Sequence, residues 1–216
     1  MHTRKDGEAT REKILHAACD VFGEKGFYKA THVEICQRAG VNTALINFHF
    51  GSKDGLYRAV WEYVADEMEQ RYPINGGIPA QAPIEERLRG HIRAQLNRAL
   101  DPKSEGLHCI RAMEMIKPTG ILDDAFTRRI RSHRAYTISL LRELLGPTAD
   151  QRTVELCEMS LISQCHMIIP PFPGMRKKHH RFVHADVDEL AEHITQFTLA
   201  GIQAIRQQGV KEGTTR

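Results

Sequence analysis

Little in this 216-residue sequence points to secretion, membranes or covalent cross-linking. The five cysteines (Cys19, Cys36, Cys109, Cys157, Cys165) are odd in number, scattered, and never spaced as Cys-x-x-Cys. That pattern argues against a disulfide framework and against a zinc ribbon. No stretch reaches the ~18 apolar residues of a membrane span. The first twenty residues hold no apolar core of a secretory signal, so a cytoplasmic protein with no membrane partner is expected. The motifs G-x-S-x-G, H-E-x-x-H, G-x-x-x-x-G-K-[ST] and G-x-G-x-x-G are all missing, and no pair of carboxylates stands out. We therefore expect no enzyme and no cofactor. Charge is nearly balanced, with 30 Lys+Arg against 27 Asp+Glu and a net of +3. This is too little for a polybasic coat, so any nucleic-acid contact has to come from a local patch.

Strand signals are scarce as well, because no Asn-Gly or Asp-Gly step joins two alternating apolar runs. Helical periodicity takes their place. Ile14, Leu15, Ala17, Ala18, Val21 and Phe22 recur at i, i+3, i+4, i+7 spacing and predict an amphipathic helix from Thr10 to Lys25, closed by Gly26. Ser52 caps a longer predicted helix through Leu56, Val60, Tyr63, Val64 and Met68. Tyr72 to Pro83 (YPINGGIPAQAP) carries three prolines and two glycines and breaks the pattern, either as a linker or as a long loop. Further helices are predicted over 84–100, 105–117, 121–145, 150–169 and 187–208.

The segment between the first helix and Ser52 reads KATHVEICQRAGVNTALINFHFG. Thr31 and Glu34 fit a reciprocal capping box opening a short helix, and Gly40 suits its left-handed C-cap. Asn42 caps a second short helix that ends near Phe50-Gly51. Two short helices joined by a tight glycine turn form a helix-turn-helix, whose second helix reads the major groove. Leu45, Ile46 and Phe50 are placed toward the interior, leaving Asn42, Thr43, Ala44, Asn47, Phe48 and His49 nearer solvent. Asn can bond adenine bidentately, and Thr or Ala can meet a thymine methyl. Lys53, in the first turn of the next helix, offers charge to a phosphate. Each residue also has a plainer reading, as a cap, a packed aromatic or a solvated lysine.

The run TREKILHAACDVFGEKGFYKAT…EICQRAGVNTALINFHFGSKDGLY, within residues 10–64, resembles the DNA-binding domain of the tetracycline-repressor (TetR/AcrR) family. NTALINFHFGSKDGLY and RAMEMIKPT (Arg111 to Thr119) further resemble its CecR-like branch. The resemblance implies an all-α protein with an N-terminal three-helix helix-turn-helix domain (1–52). A C-terminal helical bundle (53–216) for ligand binding and dimerisation would follow, with 53–71 as connecting helix. It implies a sequence-specific transcriptional regulator: a repressor that binds a palindromic operator in double-stranded DNA as a homodimer and is released by a small molecule of unknown identity. The alternative is a helical interaction protein with vestigial DNA binding. By position, Thr31 and His32 match the family's phosphate contacts, Thr43, Ala44, Asn47, Phe48 and His49 its recognition helix, and Lys53 its phosphate-binding lysine. The chain departs from the family at Asn47 and His49, where tyrosine is common, and at His32, where an apolar residue is usual.

In the second half, Leu156, Met159, Ser160, Gln164 and Met167 lie along one predicted helix, with Ile194, Phe197, Thr198, Gly201 and Ile205 along another. They are expected to supply a two-fold interface, although some must serve the intrachain core. Met113, Met115, Ile116, Phe126, Ile130, Tyr136, Cys165, His166 and Met167 are read as a ligand-cavity lining or as plain core. Arg128, Arg129, Arg131 and Arg134, and Arg176, Lys177, Lys178 and Arg181, form two basic clusters of the kind usually found on solvated faces. No metal site is assigned, although His180 and His184 stand at i, i+4 beside His179.

Overall fold

The structure, a computed structural model, describes residues 2–167 and 186–214, with side chains over 6–167 and 186–208. The clusters at 176–181 and 179–184 fall outside the described residues. The described chain is all-helical: α1 His2–Lys29, α2 His32–Ala39, α3 Ala44–Phe50, α4 Lys53–Arg71, α5 Ile84–Leu100, α6 Glu105–Ile116, α7 Asp123–Leu145, α8 Gln151–His166 and α9 Val187–Thr214. No described helix is long and apolar enough to cross a membrane. Two contact-dense units divide the chain. The first holds the residues up to Gln70 with Asp101–Arg128, and the second holds Arg71–Leu100 with the described residues beyond Arg128.

The first unit is built around α1. Its apolar stripe of Ile14, Leu15, Ala18, Val21 and Phe22 is fully buried against Ile35 of α2, Ile46 of α3, Val60 of α4 and Ile110 of α6. The helix begins before the expected Thr10, because the Thr10 hydroxyl donates to the Asp6 carbonyl and sits inside the helix instead of capping it. The expected break at Gly26 is real: its φ of 72° and ψ of 169° interrupt α1. Where α6 crosses α1, a Cβ on Gly106 would stand 2.6 Å from Cys19 Sγ, so only glycine allows the approach. Glu114 of α6 accepts from Tyr57 Oη at 2.8 Å and from Thr119 N and Oγ1 at 3.0 and 2.9 Å, tying α4 to the turn before α7.

The second unit buries Leu88, Ile92 and Leu96 of α5 with Leu140 and Leu141 of α7, Val154 and Leu161 of α8, and Ile194 of α9. Asp150 caps α8 by accepting from Thr153 N at 2.7 Å, and Asp186 caps α9 by accepting from Glu189 N at 2.8 Å. Residues 72–83 form a seated loop. His91 Nδ1 donates to the Ile74 carbonyl at 2.8 Å, its Nε2 meets Thr137 Oγ1 at 3.0 Å, and Arg98 Nε donates to the Tyr72 carbonyl at 2.7 Å. Gly76 (φ 65°) lies against Gly90, where a side chain would meet the α5 backbone.

All five thiols are buried. Burial pushes Cys19 and Cys165 up to about 12 and Cys109 to about 11, keeping them as protonated core residues.

Candidate nucleic-acid interface

The geometry begins with two caps and a turn. Thr31 is the N-cap of α2, its hydroxyl accepting from Glu34 N at 3.2 Å. The reciprocal half of the capping box is not formed, because the Glu34 carboxylate is drawn instead to Lys25 Nζ, 2.5 Å away. Gly40 (φ 68°, ψ 36°) ends α2 in the left-handed region, and Val41 N donates back to the Cys36 carbonyl at 3.0 Å. Asn42 Oδ1 then accepts from Ala44 N at 2.9 Å, so the first turn of α3 is capped from two residues upstream.

α3 is seven residues long and anchored by Ile46, which has no exposure, with Leu45 and Phe50 packed at the rim. This anchoring fixes which side faces out. Asn42, Thr43, Ala44, Asn47 and Phe48 are exposed, Phe48 at 80%, while His49 is half-buried between the rings of Phe48 and Phe50. Six of the nine residues singled out in the sequence therefore lie on or beside one short helix. Thr31 is exposed at the start of α2.

His32 stands apart, since its Nε2 is buried without a hydrogen-bond partner. An orphaned buried nitrogen costs about 1–3 kcal/mol. His32→Leu should therefore raise stability by about 1 kcal/mol, read as a higher denaturation midpoint, with duplex binding retained; weaker binding at a flatter salt slope would show that His32 touches phosphate.

Charge on this unit is partly spent internally. Arg38 makes a bidentate pair with Glu24 (2.7 and 2.9 Å), joining α2 to α1 and holding the Glu24 carboxyl below its usual range. Lys53 is arranged differently. Ser52 Oγ accepts from Gly55 N at 3.0 Å to start α4, and the Lys53 ammonium lies 4.6 Å from the centre of the Phe27 ring. Partial burial there lowers the Lys53 pKa from its ordinary value. Phe27 was not singled out from the sequence; it lies 26 positions from Lys53, beyond any local pattern. The same holds for Arg11, whose guanidinium lies 5.4 Å from the Phe50 ring and ties α1 to the end of α3.

The other expected sites fall in separate places. Leu156, Met159 and Ser160 of α8 and Phe197, Gly201 and Ile205 of α9 are exposed, with Met159 at 60% and Phe197 at 62%. Gln164 is half-buried, and Ile194, expected at the interface, is instead 4% exposed in the second core. Among the cavity-lining residues, Met113 and Phe126 belong to the first unit, Phe126 against Trp61. Ile130, Tyr136, Cys165 and His166 belong to the second, where Cys165 is core and Ile130 and His166 are exposed. The second unit also shows a polar cleft of about 390 Å³ lined by Arg71, Tyr72, Arg93, Asn97 and Asp188.

Comparison with known proteins places these features. Residues 14–60 match the bacterial regulatory proteins of the tetR family, and residues 84–202, more than half the chain, match the C-terminal domain of the HTH-type transcriptional dual regulator CecR. The chain is 39% identical to CecR of Shigella flexneri over 66 residues, 31% of this chain and 29% of that protein. It is 30% identical to the HTH-type transcriptional regulator RutR of Escherichia coli O157:H7 over 125 residues, 57% of this chain and 56% of that protein. The matched segments thus span between about a third and about half of these relatives. In fold, a TetR-like transcriptional regulator from Rhodococcus sp. RHA1 superposes with a TM-score of 0.63 at 21% identity, covering 90% of this chain and 96% of that one. The fatty acid degradation regulator FadR from Bacillus halodurans gives 0.61 at 17%, covering 89% and 95%. The chain belongs to the tetR family of bacterial regulatory proteins and carries a CecR-type C-terminal domain.

Proposed function

We propose that the chain is a sequence-specific DNA-binding repressor that acts as a homodimer on a palindromic operator and is released by a small molecule. The observation that carries this reading is α3: a short helix locked by fully buried Ile46 and presenting Asn42, Thr43, Ala44, Asn47 and an 80% exposed Phe48 to solvent. Apart from its edge contact with His49, an aromatic this exposed on so short a helix is left facing solvent, and it suits a sugar-phosphate edge. Residues 1–52 carry the reading function, and 53–216 the dimer and effector functions, with α4 as the connection. The exposed apolar positions of α8 and α9 supply the two-fold interface, since such a surface calls for a partner. Met113, Phe126, Ile130, Tyr136, Cys165 and His166 are the residues proposed to meet the effector, an apolar lining with a few polar groups.

Two substitutions test the reading. Lys53→Ala should weaken binding to all duplexes alike and flatten the dependence of log K on log salt by about one unit, because one phosphate contact is lost. Asn47→Ala should leave the salt slope unchanged and alter which bases are preferred, by about 1–3 kcal/mol for a bidentate contact. Two variants that bind like the parent would place the reading surface elsewhere. Absence of salt-dependent binding to any duplex would instead leave the chain a helical interaction protein whose helix-turn-helix no longer engages DNA.

A further inference from the structure

We propose that Phe27 is a positioning residue for the DNA-backbone contact: its ring holds the Lys53 ammonium in place for a phosphate without neutralising it. The inference rests on the DNA-binding reading above. Some cations of this unit are held by carboxylates, Lys25 by Glu34 and Arg38 by Glu24, while Arg11 and Lys117, like Lys53, lie over rings, those of Phe50 and Tyr28. A carboxylate fixes a cation at the expense of its charge, and a phosphate would have to compete with it. An aromatic face attracts an ammonium through its quadrupole and carries no formal charge, so the cation stays available. Lysine has much rotamer entropy to lose on binding, and a side chain already seated has less left to lose.

The seat itself is rigid. Phe27 follows Gly26, whose positive φ interrupts α1, and its ring is braced from three sides. Phe22 stacks at 6.2 Å, Tyr57 leans against it at 5.0 Å, and Tyr28 meets it edge-on at 5.4 Å. Tyr57 is buried and hydrogen-bonded to Glu114, so the brace continues into α6. On the other side, the Ser52 cap fixes the first turn of α4 and so the stem of Lys53. The ammonium is therefore set between a braced ring and a capped helix start.

The test is a double-substitution cycle read by titration against a random-sequence duplex over a range of salt concentrations. Phe27→Leu should weaken binding about two- to fivefold at an unchanged salt slope, since the charge remains. In a Lys53→Ala background the same change should do nothing further, and Phe27→Trp should bind at least as well as the parent. Replacing Phe27 with progressively fluorinated phenylalanines, which drain the ring face at nearly constant shape, should lower affinity stepwise; this series decides the matter if Phe27→Leu does not fold. An equal Phe27→Leu penalty in both backgrounds, or a flat fluorination series, would show that the ring merely packs, overturning the proposal. Parental binding by Lys53→Ala would overturn the phosphate contact and the proposal with it. A parent that binds no duplex at any salt would overturn the functional reading itself.

Discussion

Gly76→Ala is expected to destabilise the protein by about 2–5 kcal/mol, a large part of the 5–15 kcal/mol that holds a typical domain folded. Two costs combine. Gly76 has φ 65°, and an L side chain in that region costs roughly 1–2 kcal/mol. A Cβ there would also stand 2.2 Å from the Gly90 carbonyl oxygen and 2.7 Å from its Cα, backbone atoms of α5 that cannot swing aside. Forcing such contacts costs about 1–3 kcal/mol more. Gly77 is the internal control: its φ of 75° is equally left-handed, yet nothing lies within 4 Å of its Cβ position, so Gly77→Ala should show the backbone cost alone. Denaturant unfolding of the two variants separates the effects. Equal losses would mean that the 72–83 loop is not seated on α5.

The second large effect concerns the proposed dimer. Leu156→Glu combined with Phe197→Glu should yield a folded monomer by sedimentation and lower operator affinity by about 10²–10⁴-fold. That is the range by which linking two binding modules raises avidity. Both side chains are largely exposed within one chain, so their replacement removes little intrachain packing, and the helical circular dichroism should persist. Ile194→Ala is the contrasting variant. It should open a cavity in the second core and cost about 2–5 kcal/mol, because Ile194 packs there and not on the surface. A double variant that sediments as the parent does would remove α8 and α9 from the interface.

The helix-turn-helix was largely legible in the sequence because its determinants are local. Thr31, Gly40, Asn42 and Ser52 each act within four residues, and spacing alone reveals them. The apolar stripe of α1 was legible for the same reason. What the sequence concealed depends on distant partners. Glu34 satisfies the capping-box pattern, yet an ion pair with Lys25 takes its carboxylate. Ile194 and Phe197 share one helical pattern, but the registry of α9 on α5 and α8 buries the first and exposes the second. The proline-rich stretch at 72–83 read as a break in helical pattern. Its attachment to α5 through His91, Arg98 and the Gly76–Gly90 approach is a tertiary fact. The Phe27 seat under Lys53 is the functional instance of the same limit.

α3 is proposed to read sequence in duplex DNA. The most direct measurement is selection of the purified protein against a random duplex library at low and moderate salt, with sequencing of the bound pool. An enriched palindrome is expected, with half-sites one helical turn apart or a multiple of it and base preferences that change in Asn47→Ala and persist in Lys53→Ala. Enrichment that is absent at both salts, or indifferent to Asn47, would contradict it.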